Sequence, residues 1–240
     1  MPDVNELWEI PYLFEKRNDK GQPGNMKKLL RQITPGPIWQ LMKFVYHELK
    51  KLQYLTVGQP FKPGETAKAK QRRTEEGFFD KYCQGKGLDI GYGGDLLAPN
   101  CKGWDREHGD AQYLHGMEDA SFDFVYSSHT LEHMVNPGIA LRNWWRVLKP
   151  GGYLILYIPH RDLYEKKKTL PSRWNNDHKH FFLTDTDEEP DTIGIIPLIQ
   201  RTLANQKVIY AKECNAGHTI TDPEIHSDGE YSIEVVIKKE

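Results

Sequence analysis

Three groups of residues in this chain have the types and spacing to do chemistry. The first is Asp89-x-Gly91-x-Gly93, at the end of the short apolar run Gly87-Leu-Asp-Ile. Glycines at 91 and 93 lack a Cβ, so the backbone there can turn tightly and approach a ligand closely. The second is His129-Thr-Leu-Glu132-His133, two of the chain's ten histidines flanking a carboxylate. Imidazole is the side chain most suited to accept a proton near neutral pH. The same five residues spell the HxxEH pattern of inverted zinc peptidases, which requires a helix carrying both histidines and a distant third ligand. Here the pattern starts at a strand end, so no metal ligand is assigned. The third group is the segment His160-Arg-Asp-Leu-Tyr164 followed by Pro171-Ser-Arg-Trp-Asn-Asn-Asp-His-Lys-His-Phe-Phe182. It gathers carboxylate, imidazole, guanidinium and indole groups. Trp174 can stack on a sugar ring, and Arg173 or Lys179 can hold a phosphate. Asp177 and His178 read either as a base with its orienting partner or as a brace within the loop.

The elements that must position these groups are legible as alternation. From Lys86 onward, apolar runs of strand length alternate with helical patterns, which predicts a parallel sheet with helices on both faces. Strands are expected at Gly87–Gly91, Lys102–Asp105, Phe122–Ser127 and Tyr153–Ile158, with two more closing the sheet at Lys207–Cys214 and Tyr231–Lys238. A helix is expected over Pro137–Leu148, with Asn136 as N-cap, Pro137 at the first position and Pro150-Gly151-Gly152 as the stop. Residues 1–25 read as irregular. Apolar residues at Ile38, Leu41, Met42, Val45, Leu49 and Leu52 predict a helix over Pro37–Leu55. Residues 58–64 read as a linker, and Glu65–Tyr82 as one further helix.

In their order and spacing, Gly87-Leu-Asp-Ile-Gly-Tyr-Gly-Gly-Asp95, Ser121-Phe-Asp-Phe-Val-Tyr-Ser-Ser-His-Thr-Leu-Glu-His133 and Leu148-Lys-Pro-Gly-Gly-Tyr153 resemble the class I S-adenosylmethionine-dependent methyltransferases. The resemblance covers roughly residues 86–160. It implies an α/β, Rossmann-like sheet over residues 85–240, with an acceptor loop at 160–191, preceded by an N-terminal helical segment at 1–84. It also implies S-adenosylmethionine as cofactor. The resemblance puts the methionine moiety on the glycine turn, the ribose hydroxyls on Asp105 and the adenine on Asp110 and Ala111. The full cofactor set is Asp89, Gly91, Tyr92, Gly93, Asp105, Asp110, Ala111, Ser127 and His129. His133, His129 and His178 compete as the base, with Asp177 as a partner, and Arg173, Trp174 and His180 face the acceptor. The 160–184 run is similar to methyltransferases associated with bacterial surface polysaccharide synthesis, so the expected acceptor is a small polar molecule, a sugar above all. The chain departs from the family in having Asp95 at the last glycine position. It also leaves little room for a helix between Gly94 and Cys101, or between Asp105 and Asp110.

Alternatives stay open at this stage. A dinucleotide-binding dehydrogenase needs GxGxxG, but Leu96 stands where the third glycine belongs. A cofactor-binding subunit without catalysis is compatible with Asp95 and the shortened helices. Methylation of protein or nucleic acid is disfavoured because Ser127-Ser-His-Thr replaces Asn-Pro-Pro-Tyr. Charge also disfavours it: 32 basic and 34 acidic side chains give a net charge of −2, too balanced to recruit nucleic acid. The N-terminus has no basic, apolar leader pattern, and no apolar run approaches the ~20 residues of a membrane span. Three widely spaced cysteines suit a reducing compartment, so a cytoplasmic protein without a membrane partner is expected. Oligomeric state is left open, a homodimer included.

Overall fold

The computed structural model describes residues 64–240 and, before them, only Pro35, Ile38, Leu41 and Val45. Ile38, Leu41 and Val45 are helical, while the rest of the expected 37–55 helix, residues 1–25 and the linker up to 63 lie outside the described residues. Residues 63–240 form one compact unit. Its sheet has six strands: β1 (Gly87–Ile90), β2 (Cys101–Trp104), β3 (Phe122–Ser128), β4 (Leu148–Pro159), β7 (Gln206–Cys214) and β8 (Ser232–Lys239). Their order across the sheet is β2-β1-β3-β4-β8-β7. The β1–β2, β1–β3 and β3–β4 pairs are parallel, and β8 runs antiparallel to both β4 and β7. This is the Rossmann-like α/β architecture expected from the sequence. Two short strands, β5 (Phe181–Leu183) and β6 (Thr192–Gly194), pair separately in parallel.

Alternation along the strands sorts side chains into two cores, because successive residues point to opposite faces. Leu88, Ile90, Val125, Leu154, Leu156, Ile158, Val235 and Ile237 pack on one face, against α4 (Pro137–Val147) and α5 (Ile195–Thr202). Phe124, Tyr126, Ile155, Tyr157 and Val236 pack on the other, with Ala69, Phe78 and Cys83 from the helical segment before β1. Helices therefore cover both faces. α4 begins as its sequence dictates: the Asn136 side chain accepts from Ile139 N at 3.0 Å, with Pro137 inside the first turn. Its end differs from expectation. The helix stops at Val147 and β4 starts at once, so Pro150-Gly-Gly152 lies within the strand. There the pairing jumps from Phe122–Leu148 to Phe124–Tyr153, and the intervening residues bulge out with Gly151 at φ +82°.

Glu65–Tyr82 is not one helix but three: α1 (Glu65–Lys68), α2 (Lys70–Glu75) and α3 (Phe78–Tyr82). Gly77 at φ +64° makes the second break. The breaks let Arg73 reach inward and Phe78 turn onto the sheet, which one straight helix could not do. No helix joins β1 to β2 or β2 to β3, as the shortened spacings implied. Among the described residues no helix is long and apolar enough to cross a membrane.

Candidate active site

The site forms at the C-terminal ends of β1, β2 and β3, where open parallel sheets hold their ligands. Gly91 leaves β1 at φ +76°, its amide donating to Trp104 O at 2.7 Å. A Cβ there would stand 1.9 Å from Thr130 Oγ1, so only glycine fits. Gly93 also has positive φ, +61°, but faces open space. Asp89 sits beneath this turn, buried. Its Oδ2 accepts from Leu97 N at 2.7 Å, fastening residues 91–97 to the strand, and burial pushes its carboxyl up to about 7. Tyr92 lies over Gly103 of β2, where a Cβ would meet its ring at 2.7 Å. The Ser127 hydroxyl donates to Ile90 O at 3.3 Å. Asp89, Tyr92 and Ser127 thus shape the turn and do not line the adjoining cavity.

That cavity has a volume of about 670 Å³ and joins Gly91, Gly93, Asp105, Asp110 and Ala111 to His129, His133, Asp177 and Lys179. This lies within the range of small-molecule and cofactor sites. Asp105 ends β2 with Oδ1 accepting from Arg106 N, and its own amide donates to His108 Nδ1. Asp110 turns the chain by accepting from Gln112 N at 2.8 Å, and Ala111 O takes the Trp144 indole N–H at 2.8 Å. Gln112, which the sequence did not single out, links this wall to α4. It accepts from Asn136 N at 2.7 Å and receives Asn143 Nδ2 on its carbonyl. A lone glutamine after an Asp-Ala pair carries no signal of that role. Glycines admitting a ligand at one end, one carboxylate directly after β2 and another in the turn beyond it fit S-adenosylmethionine. They would hold its methionine moiety, ribose hydroxyls and adenine amino group.

At the other end of the cavity lies an imidazole cluster. His129, at φ +46°, has its amide on Tyr157 O and its Nε2 2.8 Å from Ser232 Oγ. Leu131–His133 forms a single 3-10 turn, not the helix a zinc peptidase would need. The loop after β4 is brought against it by Lys179 N, which donates to Glu132 O at 2.8 Å. This seats the His178 ring at a centroid distance of 4.8 Å from that of His133. The partner of His178 is not Asp177. Its Nδ1 lies 2.7 Å from Glu165 Oε1, in the π-turn Arg161–Glu165, because consecutive loop residues point to different sides. Asp177 instead turns outward to Arg106 and Lys179, 3.5 Å from His133 Nδ1. Burial pushes His129 and His133 down to about 4, so both are neutral at pH 7, and raises Glu132 to about 7. Glu132 Oε1 stands 3.8 Å from His133 Nε2, 3.8 Å from His178 Nε2 and 3.9 Å from His129 Nδ1. Glu132, His133 and His178 bring one ligand atom each within 4.8 Å of one another, a metal-ligand arrangement among the described residues.

The expected acceptor contacts divide. Asp177 and Lys179 rim the cavity, whereas Arg173 pairs with Glu224 and Trp174 donates to Tyr164 O at 3.0 Å with its ring against His226. His180 Nε2 is 3.4 Å from Val135 O. Trp174 therefore ties the loop within itself, Arg173 and His180 face residues outside it, and the cavity is lined by their neighbours.

Residues 63–156 match the family described as Methyltransferase domain. No curated protein matches the chain. Solved structures align over most of it. One is a SAM-dependent methyltransferase of Thermotoga maritima, described as a possible histamine N-methyltransferase; it is 16% identical with a TM-score of 0.43, over 82% of this chain and 98% of that one. Another, from Clostridium acetobutylicum, is 11% identical with a TM-score of 0.46, over 81% and 98%. The matched stretch holds the glycine turn, Asp105, Asp110 and the His129–His133 segment. The domain match over residues 63–156 supports an S-adenosylmethionine-dependent methyltransferase, with S-adenosylmethionine as the cofactor it implies.

Proposed function

We propose that the chain transfers the cofactor's methyl group to a hydroxyl oxygen of a small polar acceptor, a sugar of a glycan or nucleotide-sugar pathway. The observation that carries this reading is the single cavity joining the Asp105–Asp110 wall to the imidazoles of His129 and His133. A hydroxyl acceptor must lose a proton as its oxygen displaces the sulfonium. The S–CH3 bond breaks, the O–CH3 bond forms, and the proton passes to an imidazole. Both histidines are neutral at pH 7 and so able to take it. Arg106, Asp177 and Lys179 on the rim suit a polyhydroxylated or phosphorylated acceptor. Gly91 and Gly93 admit the methionine end of the cofactor, and Asp105 accepts from its ribose. Three buried free thiols, Cys83, Cys101 and Cys214, fit work in the reducing cytoplasm.

Calorimetry with S-adenosylmethionine tests the cofactor half. Wild type should bind, and Asp105→Ala should bind at least tenfold more weakly, since hydrogen bonds to a charged group contribute about 1.5–3 kcal/mol. Transfer of labelled methyl to a panel of nucleotide sugars, proteins and RNA tests the acceptor half. Label appearing in protein or RNA alone would refute the sugar reading.

A further inference from the structure

We propose that Glu132, His133 and His178 bind a divalent first-row transition-metal ion of the zinc class at the floor of the cavity. Glu132 is 0% exposed, and neither of its carboxylate oxygens accepts a hydrogen bond from another residue. A buried carboxylate without partners is costly, and such a group pairs with a cation or coordinates a metal. In their neutral forms the imidazoles of His133 and His178 turn no proton toward it. His133 Nδ1 lies 3.1 Å from the Asp177 carbonyl, which can only accept, so Nδ1 carries the hydrogen and Nε2 presents its lone pair. His178 Nδ1 lies 2.7 Å from the Glu165 carboxylate, so here too the lone pair falls on Nε2. Both Nε2 atoms stand 3.8 Å from Glu132 Oε1. With Glu132 ionised, three acceptors thus converge on one point with no donor among them. A shared proton would not hold them, because a hydrogen bond does not span that distance. A cation would.

The surroundings match those of metal sites. A ligating histidine commonly donates its other ring N–H to a carboxylate or a backbone carbonyl, which fixes the tautomer and the ring. His178 does the first and His133 the second. Glu165 is itself held by the Ser172 hydroxyl at 2.8 Å. Two imidazoles with one carboxylate suit zinc or ferrous-type ions and leave coordination positions open. Bonds of about 2.0–2.1 Å imply ligand separations near 3.4 Å in a tetrahedral site. The Glu132–imidazole separations of 3.8 Å are close to that, while the set as a whole, spread over up to 4.8 Å, must draw together by somewhat over ~1 Å on binding the ion. His133 is part of the cavity wall, which puts the ion beside the acceptor. Its catalytic part rests on the methyl transfer proposed above: the ion would bind the acceptor oxygen and lower the pKa of its hydroxyl, and His129 would take the proton.

The test uses the purified full chain, stripped with chelator, reloaded with Zn²⁺ or Co²⁺ and desalted. Elemental analysis should find one ion per chain, and Co²⁺ should give visible ligand-field absorption. His178→Ala and His133→Ala should each weaken Zn²⁺ binding at least a hundredfold, while His218→Ala keeps it. Glu132→Gln should likewise weaken Zn²⁺ binding, and His133→Ala, at a side chain 20% exposed, serves if the variant at buried Glu132 fails to fold. Stoichiometry well below one in wild type, or unchanged Zn²⁺ affinity in His133→Ala and His178→Ala, would overturn the site. S-adenosylmethionine calorimetry on the same samples separates the two proposals. Ion binding without cofactor binding leaves the metal site standing and removes the methyl-transfer reading, and the converse removes the metal site alone.

Discussion

Protons on single residues decide how this protein meets acid. Burial lowers His129 and His133 to about 4, and His160 and His180 are lowered as well. The unfolded chain takes up those protons near pH 6.5, so stability falls as pH drops from there toward 4. Glu132 and Asp89 act with the opposite sign. Each carboxyl is raised to about 7, so the folded state keeps a proton that the unfolded chain releases above about 4. Glu132→Gln deletes one opposing group, and the melting temperature of the metal-free variant should therefore fall more steeply than wild type between pH 6.5 and 4.5. Melting curves across that range check it, and parallel profiles would mean that Glu132 holds no proton there. Sequence reading singled out His129 and His133 because they follow a strand end, and His178 because its loop is dense in polar groups; the structure brings the three imidazoles around Glu132. It named Asp177 as a partner for whichever histidine is the base; Asp177 lies beside His133, while the carboxylate beside His178 is Glu165, close in space but not along the chain. Trp174 and Arg173 have chemistry that suits a sugar, but sequence does not show that Tyr164 within the loop and Glu224 between β7 and β8 engage them.

The glycine turn after β1 behaves as an element, and its two key glycines separate steric from ligand effects. Gly91→Ala puts a methyl on Thr130 in a left-handed conformation, so it should displace the turn and lower stability by well over the ~1–2 kcal/mol of the backbone strain alone. Gly93→Ala meets nothing, so it should cost only about that strain while weakening S-adenosylmethionine binding, because the added methyl enters the cavity. Denaturant melts and calorimetry on both variants distinguish the outcomes, and equal stability losses would contradict this division. Asp89→Ala should cost about 1–3 kcal/mol by leaving the Leu97 amide buried and unpaired, with cofactor affinity falling as the turn loosens. Strand positions were legible because apolar runs and breakers fix them; β1 and β3 fall within a residue of expectation. The start of β4 was not, since Pro150-Gly-Gly152 signals a stop whether a helix or a strand bulge requires it. The breaks in Glu65–Tyr82 were hidden too, because only packing onto the sheet demands them.

Across the whole molecule, one buried charge network ties the helices before β1 to β8. Arg73, fully buried, donates to Glu234 at 2.7 Å and to the Tyr126 hydroxyl at 3.0 Å, and Arg72 bridges Glu230 and Glu234. Burial alone would raise Glu234, yet the two guanidiniums outweigh it and hold the carboxyl down to about 2. Glu234→Ala should cost about 3–5 kcal/mol by leaving Arg73 buried without its counter-ion. Urea unfolding measures this, and Arg73→Met with Glu234→Leu should recover much of the loss. A cost under about 1 kcal/mol would show that the pair is better solvated than its burial implies. No sequence pattern announces a pairing 161 residues apart. Nor does any pattern place β8 between β4 and β7; the family resemblance implied an antiparallel pair at the end, but not this order. The inner position of β8 bears on biosynthesis. Until residues 232–239 leave the ribosome, β4 presents the raw edge of a hydrophobic parallel sheet, and β7, already made, has no strand to join. An interrupted or prematurely terminated chain would thus expose a long template for pairing with its own copies, so the nascent protein depends on chaperones most just before β8 emerges.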